Sequence, residues 1–341
     1  MTQEPRVTDV SGASARRGFG RRAVLRGAAL GAAVPLVPAT APTAAAAADT
    51  SRRGREPDAG AVTLRWLGTA GWRIDVGART VLFDPYLTRF PTGLFGDGFD
   101  PRTPLLSRPD AVDPHIGRPE LVLVSHSHWD HLADVPHIAR TTGARVVGTE
   151  TTYHLLVALG VEAGQISVVK GGEVLDLGGI VVEVVPSLHS RNKKCSYFAP
   201  GTLNAPPAAV PATIADLPEG DTLAFQVTAG ADGPSAFLMG ASDFSERAVR
   251  GLRPDLAMIA VPSGTATHRY LPRLLRALDH PRVAVPVHWE NFEVPLGTPV
   301  RDPAMDLDAF LAGVRQASPA TRVIVPDHRT VYDGALRPVR A

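Results

Sequence analysis

Three histidines and one aspartate lie within a short stretch of the chain, in the run Ser125-His126-Ser127-His128-Trp129-Asp130-His131. Imidazole nitrogen and carboxylate oxygen are ligand atoms that divalent zinc takes in proteins. The run follows residues 121–124, an apolar segment that predicts a buried strand. A strand end would place the four side chains on a loop at the rim of a sheet. Because burying unpaired polar groups is costly, we interpret the run as a metal site.

Three later apolar segments are also followed by a residue that can bind a metal. These residues are His189, Asp243 and His288. Each one alone could be a structural histidine or an aspartate in a turn. Their shared position after strand-like segments predicts that they add to the metal site. Together with the first run they are numerous enough for two metal ions.

With Asp84, this ordered set resembles the motifs of the metallo-β-lactamase superfamily, which run Asp, H-x-H-x-D-H, His, Asp, His. The resemblance covers residues 62 to about 333. It implies an α/β fold, the αββα four-layer sandwich, in a single domain that we place at residues 61–335. It also implies a metal-dependent hydrolase that acts on ester bonds.

The same resemblance implies a role for each of these residues. His126, His128 and His189 would hold one metal, Asp130, His131 and His288 would hold the second, and Asp243 would bridge the two. Asp84 would lie behind the ligands and orient one of them by a hydrogen bond. The ions are expected to be two divalent metals, with zinc first and manganese or iron as alternatives.

In this family two metals share a hydroxide that attacks the substrate, and Asp130 is our candidate for passing a proton to the leaving group. The bridging Asp243 is, by the resemblance, a feature of phosphodiesterases and lactonases and not of true β-lactamases. Residues 67–72, 84–86 and 286–289 resemble the branch that includes ascorbate-6-phosphate lactonase-like proteins and N-acylphosphatidylethanolamine phospholipase D. We therefore expect a small-molecule or lipid-like phosphodiester as substrate, with a lactone or carboxylic ester as the alternative. A di-iron oxygen-reducing protein and a non-catalytic binding protein are remoter alternatives.

Several further residues are candidates for contact with the substrate. Phe95 lies in residues 87–117, a long segment that reads either as an apolar lid or as an ordinary packed loop. Arg191, Lys193 and Lys194 follow His189 and form either an anion-binding group or a solvated charge run. His268 precedes a predicted helix and is a candidate for proton transfer or substrate contact.

Strand-like and helix-like segments alternate from residue 62 onwards, as an α/β domain requires. The predicted strands are residues 62–67, 72–76, 80–83, 121–124, 145–148, 180–185, 222–227, 236–239, 256–261, 283–287, 322–325 and 330–332. The predicted helices are residues 151–159, 244–252, 270–278 and 307–316.

The first 48 residues differ in composition from the rest and indicate an export signal. Arg21 and Arg22 form a twin-arginine element, a weakly apolar stretch follows, and an alanine run precedes Asp49. We expect export by the twin-arginine route, with a linker over residues 49–60, a tail over 336–341 and no membrane span in the mature chain. The lone Cys195 excludes an intramolecular disulfide. The remainder is mildly acidic, which gives no reason to expect nucleic-acid binding. The oligomeric state stays open.

Overall fold

Two β-sheets share one hydrophobic core in the computed structural model, which describes residues 62–96, 98–230 and 233–339. The predicted export signal, the predicted linker and residues 340 and 341 lie outside these ranges. Among the described residues, no helix is long and apolar enough to cross a membrane.

The first sheet has seven strands. They are β1 (Val62–Gly68), β2 (Gly71–Val76), β3 (Arg79–Phe83), β4 (Leu121–Leu123), β5 (Arg145–Gly148), β6 (Ile166–Val168) and β15 (Val331–Asp333). Their order across the sheet is β15-β1-β2-β3-β4-β5-β6. The pairs from β15 to β3 are antiparallel, whereas the pairs from β3 to β6 are parallel. The parallel part brings the carboxyl ends of β3 and β4, and the residues that follow them, to one edge of the sheet.

The second sheet holds the remaining eight strands. They are β7 (Val174–Asp176), β8 (Ile180–Leu188), β9 (Leu223–Ala229), β10 (Ser235–Met239), β11 (Asp243–Phe244), β12 (Leu256–Ala260), β13 (Val283–Val287) and β14 (Arg322–Val323). The order is β11-β8-β9-β10-β12-β13-β14, and β7 also pairs with β8. Every residue of β12 and β13 is buried. This explains their unbroken apolar sequence, because a central parallel strand is covered on both faces.

In the part of the chain that the structure describes, seven α-helices pack outside the two sheets. They are α1 (Pro109–Ile116), α2 (Trp129–Leu132), α3 (Val135–Thr142), α4 (Glu150–Ala158), α5 (Glu246–Val249), α6 (Tyr270–Ala277) and α7 (Leu307–Ala317). In β3, Val81 and Phe83 face the core between the sheets, while Leu82 joins the separate core formed with α1, α3 and α4. This alternation is the two-residue period of a strand with both faces covered. Leu274 of α6 and Phe310 of α7 pack against the second sheet. The layers are therefore helix, sheet, sheet and helix, which confirms the predicted αββα sandwich.

The strand segments predicted from the sequence are confirmed, but the helices are predicted less well. The helix predicted over residues 244–252 is reduced to α5, because Asp243 and Phe244 form β11. Helix α1 lies in residues predicted as a loop, where prolines obscured it; Pro109 is tolerated because it stands at the helix start. Part of the predicted tail also belongs to the fold, since the side chain of Leu336 is buried in the core between the sheets.

Candidate metal centre

The histidine-rich run lies at the carboxyl end of β4, as its position after an apolar segment predicts. The backbone N–H of Val124 donates to Val147 O at 3.0 Å, and that of Ser127 donates to Glu219 O at 2.9 Å. The chain then turns into α2, whose first turn carries Asp130 and His131. These bonds hold the run against β5 and against the segment that precedes β9, and its four candidate metal-binding side chains are all buried.

The structure brings six of the predicted ligands together in two groups. The first group is His126, His128 and His189, and the second is Asp130, His131 and His288. Within each group the potential ligand atoms all lie within 4.8 Å of one another. The ring centroids of His126 and His131 are 4.0 Å apart, so the two groups are neighbours.

Each of three histidines has a partner for the ring nitrogen that faces away from its group. Nδ1 lies 3.0 Å from Ser125 Oγ in His126, 2.8 Å from Asp84 Oδ2 in His131, and 2.8 Å from Ser190 O in His189. If Nδ1 carries the proton in each ring, Nε2 is left as a lone-pair donor. This is the arrangement that metal-binding histidines commonly have, because the second nitrogen fixes the ring and its tautomer.

Asp84 orients His131 of the second group through a hydrogen bond to its Nδ1. Its carboxylate accepts from Ser125 N at 2.7 Å and from Ser125 Oγ at 2.5 Å, in addition to its contact with His131. Gly240 packs directly against this carboxylate: a Cβ there would overlap Ser125 Oγ and lie 2.6 Å from Asp84 Oδ2. The chain therefore needs a glycine at this point of closest approach.

The two groups suit divalent metal ions. Nε2 of His128 is buried and has no hydrogen-bond partner among the described residues. A buried nitrogen lone pair without a partner is costly in a protein and is satisfied by a bound ion. In the second group His288 Nε2 lies 3.0 Å from Asp130 Oδ2. Imidazole and carboxylate donors converging in this way match the ligand preferences of zinc and related metals.

The pKa values of the histidines are shifted in different directions in the two groups. Burial lowers the pKa of His128 to about 4 and that of His189 to about 3, so these rings are neutral and ready to bind at neutral pH. For His131, burial is outweighed by the carboxylates of Asp130 and Asp84, which raise its pKa to about 10. A metal entering the second group must therefore displace a proton from His131. Burial opposes ionisation of Asp130, but His131 outweighs it and holds the pKa of that carboxyl well below its usual range.

His288 is held by a buried cluster of charged residues. Its backbone φ is 63°, and its N–H donates to Thr69 O at 2.7 Å. The N–H of Thr69 in turn donates to Glu290 Oε1 at 3.0 Å. Glu290 is paired with Arg89 at 2.9 Å and with His328 at 2.9 Å, and the Glu290 and Arg89 side chains are fully buried. The cluster thus fixes the turn that presents the last ligand.

Aromatic side chains surround the donor groups in a cavity of about 310 Å³. On the His128 side, Phe198 meets Phe99 and Trp129 edge-on, with ring centroids 4.9 and 5.5 Å apart. On the other side Phe292 lies 4.9 Å from the His288 ring. No lysine or arginine lines this cavity in the described part of the chain. The walls can exclude water and contact an apolar substituent.

The predicted substrate contacts are mostly not brought to this cavity. Phe95 packs edge-on against Phe292 at 4.8 Å but does not line the cavity itself. Arg191, Lys193 and Lys194 are exposed and lie outside the cavity lining. Other residues of the same loop, such as Asn192 and Phe198, do line the cavity. Arg191 stacks over Tyr197 with 5.2 Å between guanidinium carbon and ring centroid.

His268 is also outside the site. Its side chain is exposed, and its carbonyl accepts a hydrogen bond from Arg273 at 2.9 Å. It lies between the short helical turn of residues 264–266 and α6, and it is not among the residues that line the metal cavity. Proton transfer by His268 is therefore not supported by its position.

Asp243 belongs to neither donor group, contrary to its predicted bridging position. Its Oδ1 accepts from Phe244 N at 2.8 Å, and the side chain is only partly buried. Burial raises the pKa of Asp243, and the charges of Arg273 and Arg191 oppose that rise. The physical reason is the path of the chain, which is closest to Asp84 and His131 at Gly240. By Asp243 it has already entered β11.

Leu94 and Phe99, from residues 87–117 predicted as an apolar lid or a packed loop, line the cavity, but three other lining residues were not predicted. Phe198, Phe292 and Met305 line the cavity from three loops. Trp129 stands inside the histidine-rich run, and Phe292 follows His288 closely, so nearness to a ligand was a usable signal for both. Nothing in the sequence around Phe198 or Met305 distinguishes these residues from ordinary loop residues.

The chain is similar to known metal-dependent hydrolases. Residues 63–204 match the beta-lactamase superfamily domain. A UPF0173 metal-dependent hydrolase of Cupriavidus taiwanensis is 30% identical over 309 residues, which are 88% of this chain and 94% of that protein. Another, from Polynucleobacter asymbioticus, is 29% identical over 244 residues, covering 70% and 78%. The solved structure of Igni18, a metallo hydrolase from Ignicoccus hospitalis, superposes with a TM-score of 0.52 at 20% identity. That superposition covers 80% of this chain and 97% of that one.

Proposed function

Because the chain belongs to the UPF0173 metal-dependent hydrolases, within the metallo-β-lactamase superfamily, we propose that it hydrolyses a phosphodiester with an apolar substituent at a two-metal centre. The finer branch predicted from residues 67–72, 84–86 and 286–289 stays a prediction. A function confined to binding is disfavoured, since the relatives are hydrolases.

The first metal would be held by His126, His128 and His189, and the second by Asp130, His131 and His288. When bound, divalent ions lower the pKa of a coordinated water to roughly 7 and polarise the bond to be cleaved. The chain contributes the fixed orientation of these donors through Ser125, Asp84 and Ser190. Because Asp130 is held ionised, it can accept a proton during the reaction but cannot begin as a proton donor.

The observation that carries the phosphodiester proposal is the charge of the donor set. Among the six donors only Asp130 is a carboxylate, and Asp243 is not with them. Two divalent ions held by five neutral imidazoles and one carboxylate leave a positive centre inside aromatic walls. A positive centre in a surrounding of low polarity attracts an anionic group strongly. A phosphodiester supplies one negative charge at the reacting atom, whereas a lactone supplies none.

A lactone or carboxylic ester is the second candidate. Its support is the absence of lysine and arginine from the described cavity lining, since phosphate groups are commonly met by such side chains. Both candidates use the same donor groups and the same walls, and the substrate panel below separates them.

The test is a substrate panel on protein loaded with zinc, manganese or iron, with the metal content measured in each sample. We expect hydrolysis of bis-p-nitrophenyl phosphate that disappears on chelation and in the His128→Ala variant. The His154→Ala variant is the control, because His154 is a histidine of α4 outside both donor groups. Hydrolysis of acyl lactones with no phosphodiester cleavage under any metal would overturn the proposal in favour of the second candidate.

Export by the twin-arginine route remains part of the proposal and rests on Arg21 and Arg22 and the alanine run after them. Export in a folded state would suit a protein whose metal is bound before secretion. Fractionation of the native host, with the protein found outside the cytoplasm, is the expected result. Retention in the cytoplasm of both the native protein and an Arg21→Lys, Arg22→Lys variant would contradict it.

A further inference from the structure

A second cavity, of about 390 Å³, adjoins the metal cavity. It lies between the segment that follows β12 and the exposed face of α7. Ser263 and Met305 line both cavities, so the two cavities are neighbours that meet at these two residues. We call this second cavity the α7 groove.

The lining of the α7 groove combines apolar and small side chains with polar ones, which are Ser263, Thr265, Thr267, Arg269, Asp306 and Gln316. Val261, Leu271 and Phe310 contribute apolar surface, and Ala309 and Gly313 of α7 contribute little bulk. Gly313 is close to the opposite wall: a Cβ there would lie 2.8 Å from Leu271 Cδ1. The groove is therefore narrow at Gly313, where α7 packs against Leu271 and a larger side chain would overlap it.

The backbone around Ser263 sets the junction between the two cavities. Ser263 has φ 57°, in the left-handed region, and there the chain leaves the metal cavity and begins the short helical turn of residues 264–266. That turn forms one wall of the groove, and Met305, at the end of another short helical turn, lies at the junction. Methionine is a flexible apolar side chain that adapts to ligands of irregular shape.

We propose that the α7 groove binds an unbranched apolar chain of the substrate, whose reacting ester lies at the metal centre. This inference rests on the proposed function and adds the substrate class, an ester carrying an alkyl or acyl chain. The aromatic walls would bind the part of the chain next to the reacting bond, and the groove would bind the rest. Polar residues at its outer end, such as Arg269 and Gln316, would then face solvent or a terminal polar group.

The kinetic test compares ethyl, butyl, octyl and decyl p-nitrophenyl phosphate on the metal-loaded protein. Each buried methylene is worth a factor of about four in binding, so KM should fall by at least about tenfold from the ethyl to the octyl ester. In Ala309→Trp an indole would fill the groove from an exposed helix position. The ratio of the KM for the ethyl ester to the KM for the octyl ester should then shrink to about one. Ala312→Trp is the matched control, because Ala312 is an exposed alanine of the same helix outside the groove lining, and its ratio should stay native.

A binding measurement separates failure of the groove from failure of the proposed function. Calorimetry would compare decyl phosphate with ethyl phosphate, neither of which needs to be hydrolysed. We expect decyl phosphate to bind at least about tenfold more tightly, and Ala309→Trp to abolish this advantage while Ala312→Trp keeps it. If no phosphodiester is cleaved but this pattern of affinities holds, the groove still binds an apolar chain and only the proposed reaction must be revised. Equal affinity of the two phosphates, or loss of the affinity difference in both tryptophan variants alike, would overturn the proposal that the groove binds an apolar chain.

Discussion

Replacing Asp84 by asparagine should weaken metal binding in the second group while leaving the first group nearly intact. The carboxylate accepts three hydrogen bonds, from Ser125 N, Ser125 Oγ and the His131 ring. An asparagine of the same shape must turn its NH₂ towards one of these donors. If the NH₂ faces His131, the ring has to place its proton on Nε2, and the nitrogen needed for the metal is lost.

The size of the expected loss in metal affinity follows from how much the hydrogen-bond partner of a metal-binding histidine contributes to that affinity. Loss of the partner of a metal-binding histidine commonly costs about 10- to 100-fold in metal affinity. That range corresponds to about 1.4–2.7 kcal/mol. Since Asp84 contacts His131 directly and reaches His126 only through Ser125 Oγ, we expect the loss in the second group to fall within this range. The first group should lose less than about threefold.

The assay is a zinc titration in competition with a chelator of known affinity, combined with the metal content after dialysis. Asp134→Asn is the matched control. Asp134 is a fully buried carboxylate that accepts from Leu87 N at 2.6 Å and from Thr88 N at 2.8 Å, but it contacts neither donor group. Both variants should be less stable, and only Asp84→Asn should lose affinity at one of two sites. Equal zinc affinity in both variants would refute the argument from the His131 tautomer.

Three further results are expected. Asp243→Asn should leave the metal content and both zinc affinities unchanged within about twofold by the same titration, whereas a bridging ligand would cost at least about tenfold. Glu290→Gln leaves buried Arg89 without its charge partner and should lower the free energy of unfolding in urea by about 3–5 kcal/mol. Adding Arg89→Met should recover part of this stability. An unchanged free energy of unfolding in Glu290→Gln would contradict the role of the cluster. The metal-free protein should lose stability as the pH falls from 6.5 to 4. In that interval the unfolded chain protonates His128 while the folded chain, with a pKa of about 4, does not, which amounts to up to about 3 kcal/mol. The raised pKa of His131 stabilises the fold fully below pH 6.5 and does not oppose this trend. Burial also lowers the pKa values of His189 and His126, so His128→Gln should reduce the loss of stability by up to about 3 kcal/mol without abolishing it.

The layers of the fold and most of the metal centre could be predicted because both depend on short-range patterns. An apolar segment such as residues 283–287 predicts a buried strand, and the end of a parallel strand predicts where His288 lies. The structure brings six of the seven predicted ligands into two groups on this basis. The helices were harder, because Pro109 and Pro136 stand at positions where proline both permits a helix start and resembles a loop.

The substrate side of the cavity could not be predicted, since its residues converge only in the folded chain. Phe198, Phe292 and Met305 come from three separate loops, and no spacing in the sequence relates them. Basic residues next to a ligand in the sequence, such as Lys193, suggested an anion site, yet they are exposed and lie outside the cavity lining, while Phe198 of the same loop lines it. Sequence proximity to a ligand therefore predicts position well where a strand or a helix turn fixes the direction of the chain, and poorly in a loop.

Asp243 is a second residue whose position was predicted poorly from its place in the sequence, here beside the metal site itself. After β10 the chain passes the donor groups at Gly240, where only a glycine fits against Asp84. Asp243 follows three residues later and pairs in β11 with Leu188. Its carboxylate is thereby turned to Phe244 N and towards Arg273 instead. The donor set is left with the single carboxylate of Asp130, and under the proposed function the surplus of positive charge on two bound ions would favour an anionic ester over a neutral one.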